Sequence, residues 1–469
     1  MQLWIKWWEI TKQLRPCFSR RQTFLWFALI LIGFCSRAEF AGITSIIRSL
    51  GMDDFYYDRL LDFFHSNAVK LPKLIQAWFQ IVLATGFAHR VNGRIVILGD
   101  GVKAPKEGRR MPAVKSLHQE SESNSKPEYI MGHSCQAISI LLTSAAHFFA
   151  TPLVCQIHEG IVESNRDKRT VLDKMIIMIE SVGMQVPFYF VADAYYASKK
   201  TILPLLVAGN HLVSRVRMNA TAYLPLIKVN IPGRGRPRLY GEKIKLRDIF
   251  KQKENMVSTT ILLYGKPETI LYYSLDLIWK PVGKIVRFVF VQTLSGTKAI
   301  FMSTDLALNP LDIIQTYSLR YKIEVLFKQA LRVLGTLSYH FWMKTMDKIK
   351  RKSGNQYLHK KTADYRNSVK RKLSAYHIHM QVGFIAQGIL QIISLSSHQL
   401  VWKSFGSWLR TIRPNVLPSE QVVMTALRNT LPDFLAGSNS DGIIEKFVLD
   451  KLDMDRSEGQ NLITKIKTG

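Results

Sequence analysis

Two short apolar segments of this chain each end on an aspartate. RIVILGD runs from Arg94 to Asp100, and PFYFVAD runs from Pro187 to Asp193. Apolar runs of this length are typical of strands buried at the centre of an α/β sheet. Open α/β sheets place their functional groups beyond the carboxyl ends of such strands. The two segments therefore predict a mixed α/β fold with Asp100 and Asp193 at one edge of its sheet.

The segments around these two runs complete the α/β pattern. Residues 129–157 contain no Asp, Glu, Lys or Arg and predict two buried strands joined by a turn. Helices are expected from Glu163 to Val182 and near Ser198 to Ala208, and HLVSRVR predicts a further strand. Strand-like runs in residues 219–300 then interrupt the alternation. We interpret them as an antiparallel β insertion in the α/β core.

Both ends of the chain are predicted to be helical. From Gln22 to about Ala88, apolar periodicity predicts a compact helical region, either a helix-turn-helix that grips DNA or a packing region without DNA contact. Phe24 to Cys35 is too short to span a membrane and predicts a buried helix. The predicted organisation is a helical N-terminal DNA-binding region (1–90), a first core part (91–218), a β-rich insertion (219–300), a second core part (301–340), and a basic segment with a C-terminal helical region that includes an apolar helix near Gly383 to Leu395 (341–469).

The charge of the chain is unusual, because 64 Lys and Arg against 35 Asp and Glu leave a net charge of +29. Such a charge attracts a polyanion, either nucleic acid or an anionic membrane. The four cysteines have no disulfide or zinc spacing, and no secretory signal is recognised, so a reducing cytoplasm is expected. His133 and His147, in the two predicted buried strands, are interpreted as core residues.

A helix predicted from about Leu311 has one polar stripe. Tyr317, Arg320, Glu324 and Lys328 fall on one face at 100° per residue. The opposite face is apolar and is expected to pack on the core; it comprises Leu319, Ile323, Leu326, Ala330 and Val333. Taken alone, the stripe is explained more simply by ion pairs on a solvated helix than by a functional site.

The two aspartates change that interpretation. A buried strand end is a costly place for an unpaired charge, and a divalent cation would neutralise it. Hard oxygen ligands favour Mg²⁺ or Mn²⁺ over zinc. Two such ions about 4 Å apart, held by three carboxylates, would support an in-line phosphoryl displacement. The net charge indicates DNA as the source of the phosphate.

These segments resemble those of insertion-sequence DDE transposases. Tyr317-x2-Arg320-x3-Glu324 is similar to the family's Y-x2-R-x3-E-x6-K signature, whereas ILGDGVKAPKEGRRMP and FYFVADAYYASKK resemble the segments with its two catalytic aspartates. The similarity spans Arg94 to Gly335, and more weakly the N-terminus and Ser338 to Trp342. It implies a ribonuclease H-like core with Asp100, Asp193 and Glu324 as the catalytic triad that binds two Mg²⁺ or Mn²⁺ ions.

The resemblance also implies DNA contacts. Tyr317 and Arg320 would lie near the scissile phosphate. The signature lysine falls at Leu331, so its contact would either be absent or be supplied by Lys328 or Arg332, of which Lys328 shares the polar stripe.

Two basic regions outside the signature are candidates for further DNA contacts. Arg234-Gly235-Arg236-Pro237 resembles an AT-hook core, with a plain basic loop as the alternative. Lys344 to Lys372 contains eleven Lys or Arg against two Asp. It predicts either a clamp on the DNA backbone or a solvated segment.

The resemblance implies a transposase of a bacterial insertion sequence. Such an enzyme binds the terminal inverted repeats of its element and a target DNA as a homodimer, cuts and joins strands, and works at the nucleoid in the cytoplasm. Three alternatives stay open: a catalytically silent DNA-binding relative, a ribonuclease H-like nuclease that does not join strands, and a membrane-associated basic protein.

Overall fold

The computed structural model describes residues 1–39, 42–119, 127–144, 147–226, 239–406, 412–437, 442–456, 459, 460, 462 and 464. The N-terminal region is helical, as predicted, and contains a first helix that the sequence patterns did not indicate. Apolar side chains of the second helix are buried from Phe24 to Cys35 apart from Trp26, which is half-buried. The five helices are α1 (Gln2–Lys12), α2 (Arg21–Ser36), α3 (Thr44–Leu50), α4 (Tyr56–Phe64) and α5 (Leu71–Ala84).

A mixed sheet with helices on it follows. Its elements are β1 (Arg90–Val91), β2 (Arg94–Pro105), β3 (Lys115–His118), β4 (Tyr129–Ser144), β5 (His147–Ile157), β6 (Ile161–Val162), α6 (Val171–Ser181), β7 (Phe188–Ala192), α7 (Lys199–Val207) and β8 (His211–Val216). The order at the centre is β5-β4-β2-β7-β8. Strands β2, β7 and β8 run parallel, whereas β4 is antiparallel to β2 and to β5. This order and direction agree with the predicted ribonuclease H-like fold.

The segment between β8 and the next helix is antiparallel, as predicted. It contains β9 (Thr221–Tyr223), β10 (Lys243–Lys245), β11 (Val257–Leu263), β12 (Lys266–Trp279), β13 (Lys284–Thr293) and β14 (Lys298–Ser303). Strand β14 pairs with β13 on one side and with β8 on the other. The added strands therefore extend the core sheet directly.

The remaining elements are mainly helical. They are α8 (Pro310–Ser318), α9 (Tyr321–Arg332), β15 (Gln356–Tyr357), α10 (Ala363–Phe405), α11 (Glu420–Ala436) and α12 (Ile443–Leu449). Helix α10 contains the predicted apolar segment near Gly383 to Leu395 but is much longer. Of the described helices, α10 alone is long and apolar enough to cross a membrane. Its apolar segment is buried inside the fold. The uncharged stretch 129–157 forms β4 and β5, with residues 145–146 outside the described part.

Two local predictions away from the candidate site were wrong. The helix expected from Glu163 begins only at Val171, because the Thr170 side chain accepts the Asp173 N–H and the Asp173 carboxylate accepts the Thr170 N–H, which together cap the helix there. His147 is exposed, because it is the first residue of β5. His133 is buried as predicted, with a nitrogen 2.8 Å from the Tyr339 hydroxyl.

Several histidines are held neutral inside the fold. Burial lowers the pKa of His133 to about 3 and the pKa values of His158 and His377 to about 4. His377 Nε2 accepts the Ile157 N–H at 3.1 Å, which a protonated nitrogen would not do. Because the pKa in the unfolded chain is about 6.5, the stability from these neutral groups is complete above pH 6.5 and is lost as the pH falls toward the folded values.

We therefore expect acid to destabilise the fold below about pH 6.5, as these histidines become protonated in the unfolded chain. Between pH 7.5 and 5.5 the free energy of unfolding should fall by about 1 kcal/mol for each of these histidines. His377→Gln keeps an acceptor for the Ile157 N–H and should reduce that fall by about 1 kcal/mol. Urea unfolding of both proteins at the two pH values measures it, and equal losses in the two proteins would contradict the assignment.

Candidate active site

Asp100 and Asp193 occupy matching positions on neighbouring parallel strands. The last pair between β2 and β7 joins Leu98 to Val191, and each aspartate lies two residues beyond that pair. The prediction that β2 ends at Asp100 was wrong, because β2 continues to Pro105 by pairing with β4. The carboxylates therefore lie where β2 loses its parallel neighbour, which is the edge that the sequence predicted.

The Asp100 carboxylate is largely enclosed, with 23% of its side chain exposed. Its Oδ1 accepts the Gly101 N–H at 2.7 Å, and its Oδ2 accepts from Arg320 Nη1 at 2.9 Å. Burial raises the pKa of Asp100 to about 6, although the Gly101 N–H and Arg320 act against that rise. The charges of Asp193 and Glu324 raise the same pKa further, so all three carboxylates share one electrostatic environment.

Arg320 connects the sheet to α9, the helix that carries Glu324 and is called the glutamate helix below. Its Nη2 donates to Glu324 Oε1 at 2.6 Å while Nη1 donates to Asp100. The single predicted helix is instead two, α8 and α9, because residues 319–323 form tighter bonds such as Arg320 N–H to Tyr317 O. Backbone angles at Leu319 and Arg320 stay helical, so the polar stripe keeps its direction. Ile323, Leu326 and Ala330 on the opposite face are buried, as predicted.

Asp193 and two tyrosines complete the site. Asp193 Oδ1 accepts the Tyr195 N–H at 3.0 Å, and its backbone oxygen accepts from Ser214 Oγ at 2.8 Å. Tyr317 packs on Phe301, with ring centres 4.9 Å apart. Burial raises the pKa of Tyr317, whereas Arg320 and Arg215 lower it and Asp193 raises it. Arg215, an exposed residue of β8, therefore adds a positive charge that sequence patterns did not single out.

The donor chemistry suits a divalent cation, because the site brings together hard carboxylate oxygens at a partly buried position. As the side chains stand, however, no three His, Cys, Asp or Glu residues in the described ranges are grouped to hold a metal ion. The Arg320 guanidinium bridges Asp100 and Glu324 and supplies the positive charge between them. A metal ion would fit these carboxylates once Arg320 released one or both of them.

The other residues that the sequence predicted to contact DNA lie outside this cluster of carboxylates. Lys328 and Arg332 are exposed on α9, beyond Glu324. Leu331, at the signature lysine position, is partly buried and packs against the hydrophobic core. Arg234 and Arg236 lie outside the described residues. Of the basic run, residues 344–355 are irregular and the remainder leads through β15 into α10.

Two buried cations fix the segment that follows α9, and sequence patterns did not reveal them. Arg37 donates to the backbone oxygens of Gly42 and Leu334. Lys106 donates to the backbone oxygens of Leu337 and Tyr339. The bonds to Leu334 and Leu337 join residues 297 and 231 positions apart, so no local motif marks them. They hold the end of the glutamate helix against β2 and the N-terminal helices.

Comparison with known families identifies the relationship. A family model described as a DDE superfamily endonuclease matches residues 13–262. The chain belongs to this family. The matched range contains Asp100 and Asp193 and ends before Glu324, which is connected to Asp100 through Arg320.

Further comparisons add little to this family assignment. One solved structure, titled as a cryo-EM structure of the piggyBac transposase synaptic complex with hairpin DNA, is similar at 11% identity and a TM-score of 0.35, covering 94% of this chain and 78% of that one. No curated protein matches the sequence.

Proposed function

We propose that this DDE endonuclease is the transposase of a bacterial insertion sequence, which cuts DNA at the ends of its element and joins the freed 3′-hydroxyl to a target. The observation that supports this most is the bridge from Arg320 to Asp100 and Glu324, beside Asp193 at the edge of the sheet. It brings residues 220 positions apart into one site, which a solvated helix with internal ion pairs would not require.

In this proposal Asp100, Asp193 and Glu324 hold Mg²⁺ or Mn²⁺, as two ions. DDE superfamily endonucleases generally use divalent metal ions. When bound, the cation would lower the pKa of the attacking water or hydroxyl and withdraw charge from the scissile phosphate. Cleavage and joining can share these residues because water and a sugar hydroxyl present the same kind of oxygen nucleophile.

The basic side chains would hold the substrate. Arg320 would exchange its carboxylate partners for a DNA phosphate, which its planar guanidinium can contact with two bonds. Tyr317, Lys328 and Arg332 would contact the backbone beside it, and Arg234 and Arg236 would add further contacts. The partners would be the terminal inverted repeats and target DNA, bound by a homodimer at the nucleoid in the cytoplasm.

The test uses the full chain and DNA from either side of its own coding region. With Mg²⁺ or Mn²⁺, the transposase should cut at specific positions and join the cut ends to a plasmid target. Cutting without joining would indicate a nuclease, and specific binding without cutting would indicate a silent relative. Omitting the metal and substituting an unrelated DNA of equal length are the controls.

A further inference from the structure

One tryptophan lies on the surface next to basic residues. Trp342 has 67% of its area exposed, and it is the one exposed tryptophan among those that the structure describes. Trp4, Trp7 and Trp78, in contrast, are completely buried. Leaving an indole ring in water forfeits the apolar burial that stabilises the others, so its exposure needs a reason.

The ring is held in place by an ordered backbone. The Met343 N–H donates to Arg110 O at 3.0 Å, and Ile349 N–H donates to Arg109 O at 2.7 Å. Gly108 lies beside the ring: a Cβ there would be in ordinary contact with Trp342 Nε1 at 3.6 Å but would crowd Met111 Sδ at 2.5 Å. These bonds join the segment that follows the glutamate helix to the segment that follows β2. Trp342 therefore stands on a framework that is built without any partner.

A cleft of about 590 Å³ lies in the same region, between the end of β2 and residues 349–351. Four basic residues line the cleft: the buried Lys106, Arg109, Lys350 and Arg351. Three more lie near Trp342 along the chain or across the Met343–Arg110 hydrogen bond: Arg110, Lys344 and Lys348. In the described segments 105–110 and 342–351 the acids are Glu107, which lines the cleft, and Asp347, which pairs with Lys361 at 3.4 Å. The surface is therefore strongly positive around an exposed aromatic ring.

An aromatic ring within a basic groove is how proteins bind unpaired nucleotides, with the ring stacking on a base and the cations on phosphates. Bases inside a duplex are stacked on their neighbours and expose no free face to an aromatic ring. Five residues of β2 separate Asp100 from Pro105, which is roughly 17 Å of strand and corresponds to about five nucleotides of DNA. The surface therefore lies within reach of a strand whose phosphate occupies the carboxylate site.

We propose that Trp342 stacks on an unpaired DNA base, and that the basic cleft beside it binds the phosphates of the same strand. This inference deepens the proposed transposase function and depends on it. The unpaired base would belong to a single-stranded overhang or a frayed end near the cut. A protein partner is the competing occupant, and the test is designed to detect it.

The test compares the full native chain with Trp342→Ala and Trp342→Phe. Binding is measured by fluorescence anisotropy on a blunt duplex and on the same duplex with a five-nucleotide overhang that contains 2-aminopurine. Trp342→Ala should weaken overhang binding about tenfold and abolish quenching of 2-aminopurine, because base stacking is lost. Trp342→Phe should keep most of both, and blunt-duplex binding should change by less than about twofold.

Tyr264→Ala is the matched control, because Tyr264 is also an exposed aromatic, lies between β11 and β12, and is not among the residues that line the basic cleft. It should behave as the native chain. Unchanged overhang binding by Trp342→Ala would overturn the proposal while leaving the transposase function intact. If Trp342→Ala changed the sedimentation coefficient of the protein but not its DNA binding, the stacking proposal would be overturned in favour of a protein partner. If the native chain bound neither DNA, both proposals would fail.

Discussion

Glu324→Gln should lower metal-dependent DNA cleavage by at least about a thousandfold while the fold and DNA binding persist. Glutamine has the shape of glutamate and can still accept from Arg320, but it lacks the negative charge that would hold a cation. Because the Glu324 side chain is 58% exposed, we expect the free energy of unfolding to change by less than about 1 kcal/mol. Cleavage rates, DNA affinity and urea unfolding measure the three effects.

Glu254→Gln provides the control, because Glu254 is an exposed glutamate in the turn before β11. It should cleave at the native rate. Asp100→Asn and Asp193→Asn should be as inactive as Glu324→Gln. Cleavage by Glu324→Gln within tenfold of the native rate would show that a different residue completes the site.

Arg320→Ala should change metal affinity and cleavage in opposite directions. In the DNA-free protein it removes the positive charge that now bridges Asp100 and Glu324, so Mn²⁺ should bind at least about tenfold more tightly. Cleavage should nevertheless fall about a hundredfold, because the phosphate loses a bidentate partner. Electron paramagnetic resonance of free Mn²⁺ measures the affinity without any DNA or activity.

Arg320→Lys separates charge from geometry. Lysine keeps the positive charge but cannot reproduce the planar bridge, so Mn²⁺ affinity should stay near the native value while cleavage still falls. Weaker or unchanged Mn²⁺ binding by Arg320→Ala would mean that the arginine does not occupy the place of a cation.

The sheet edge was predictable because each local signal agreed with its tertiary environment. Apolar runs before Asp100 and Asp193 specify buried strands, and the amphipathic pattern around Glu324 specifies a helix that packs on them. Strand-like apolar runs also predicted the antiparallel insertion, and its strand β13 is buried on both faces from Phe288 to Val291.

Other features depend on partners that are distant in sequence. The continuation of β2 beyond Asp100 depends on pairing with β4, and the bridge by Arg320 depends on a fold that brings α9 to the sheet. The exposure of His147 follows from the end of a strand, which periodicity locates only within a few residues. The buried positions of Arg37 and Lys106 could not be predicted, because isolated cations usually indicate a solvated surface.

The most direct test of the proposed metal site is a change of metal preference in Asp193→Cys. A thiolate is a softer ligand than a carboxylate and binds Mn²⁺ better than Mg²⁺. The account predicts that Asp193→Cys is inactive with Mg²⁺ and regains at least about a tenth of native cleavage with Mn²⁺, whereas Asp193→Ala stays inactive with both. Equal activity of Asp193→Cys in the two metals, or recovery by Asp193→Ala, would contradict the claim that Asp193 binds the catalytic cation.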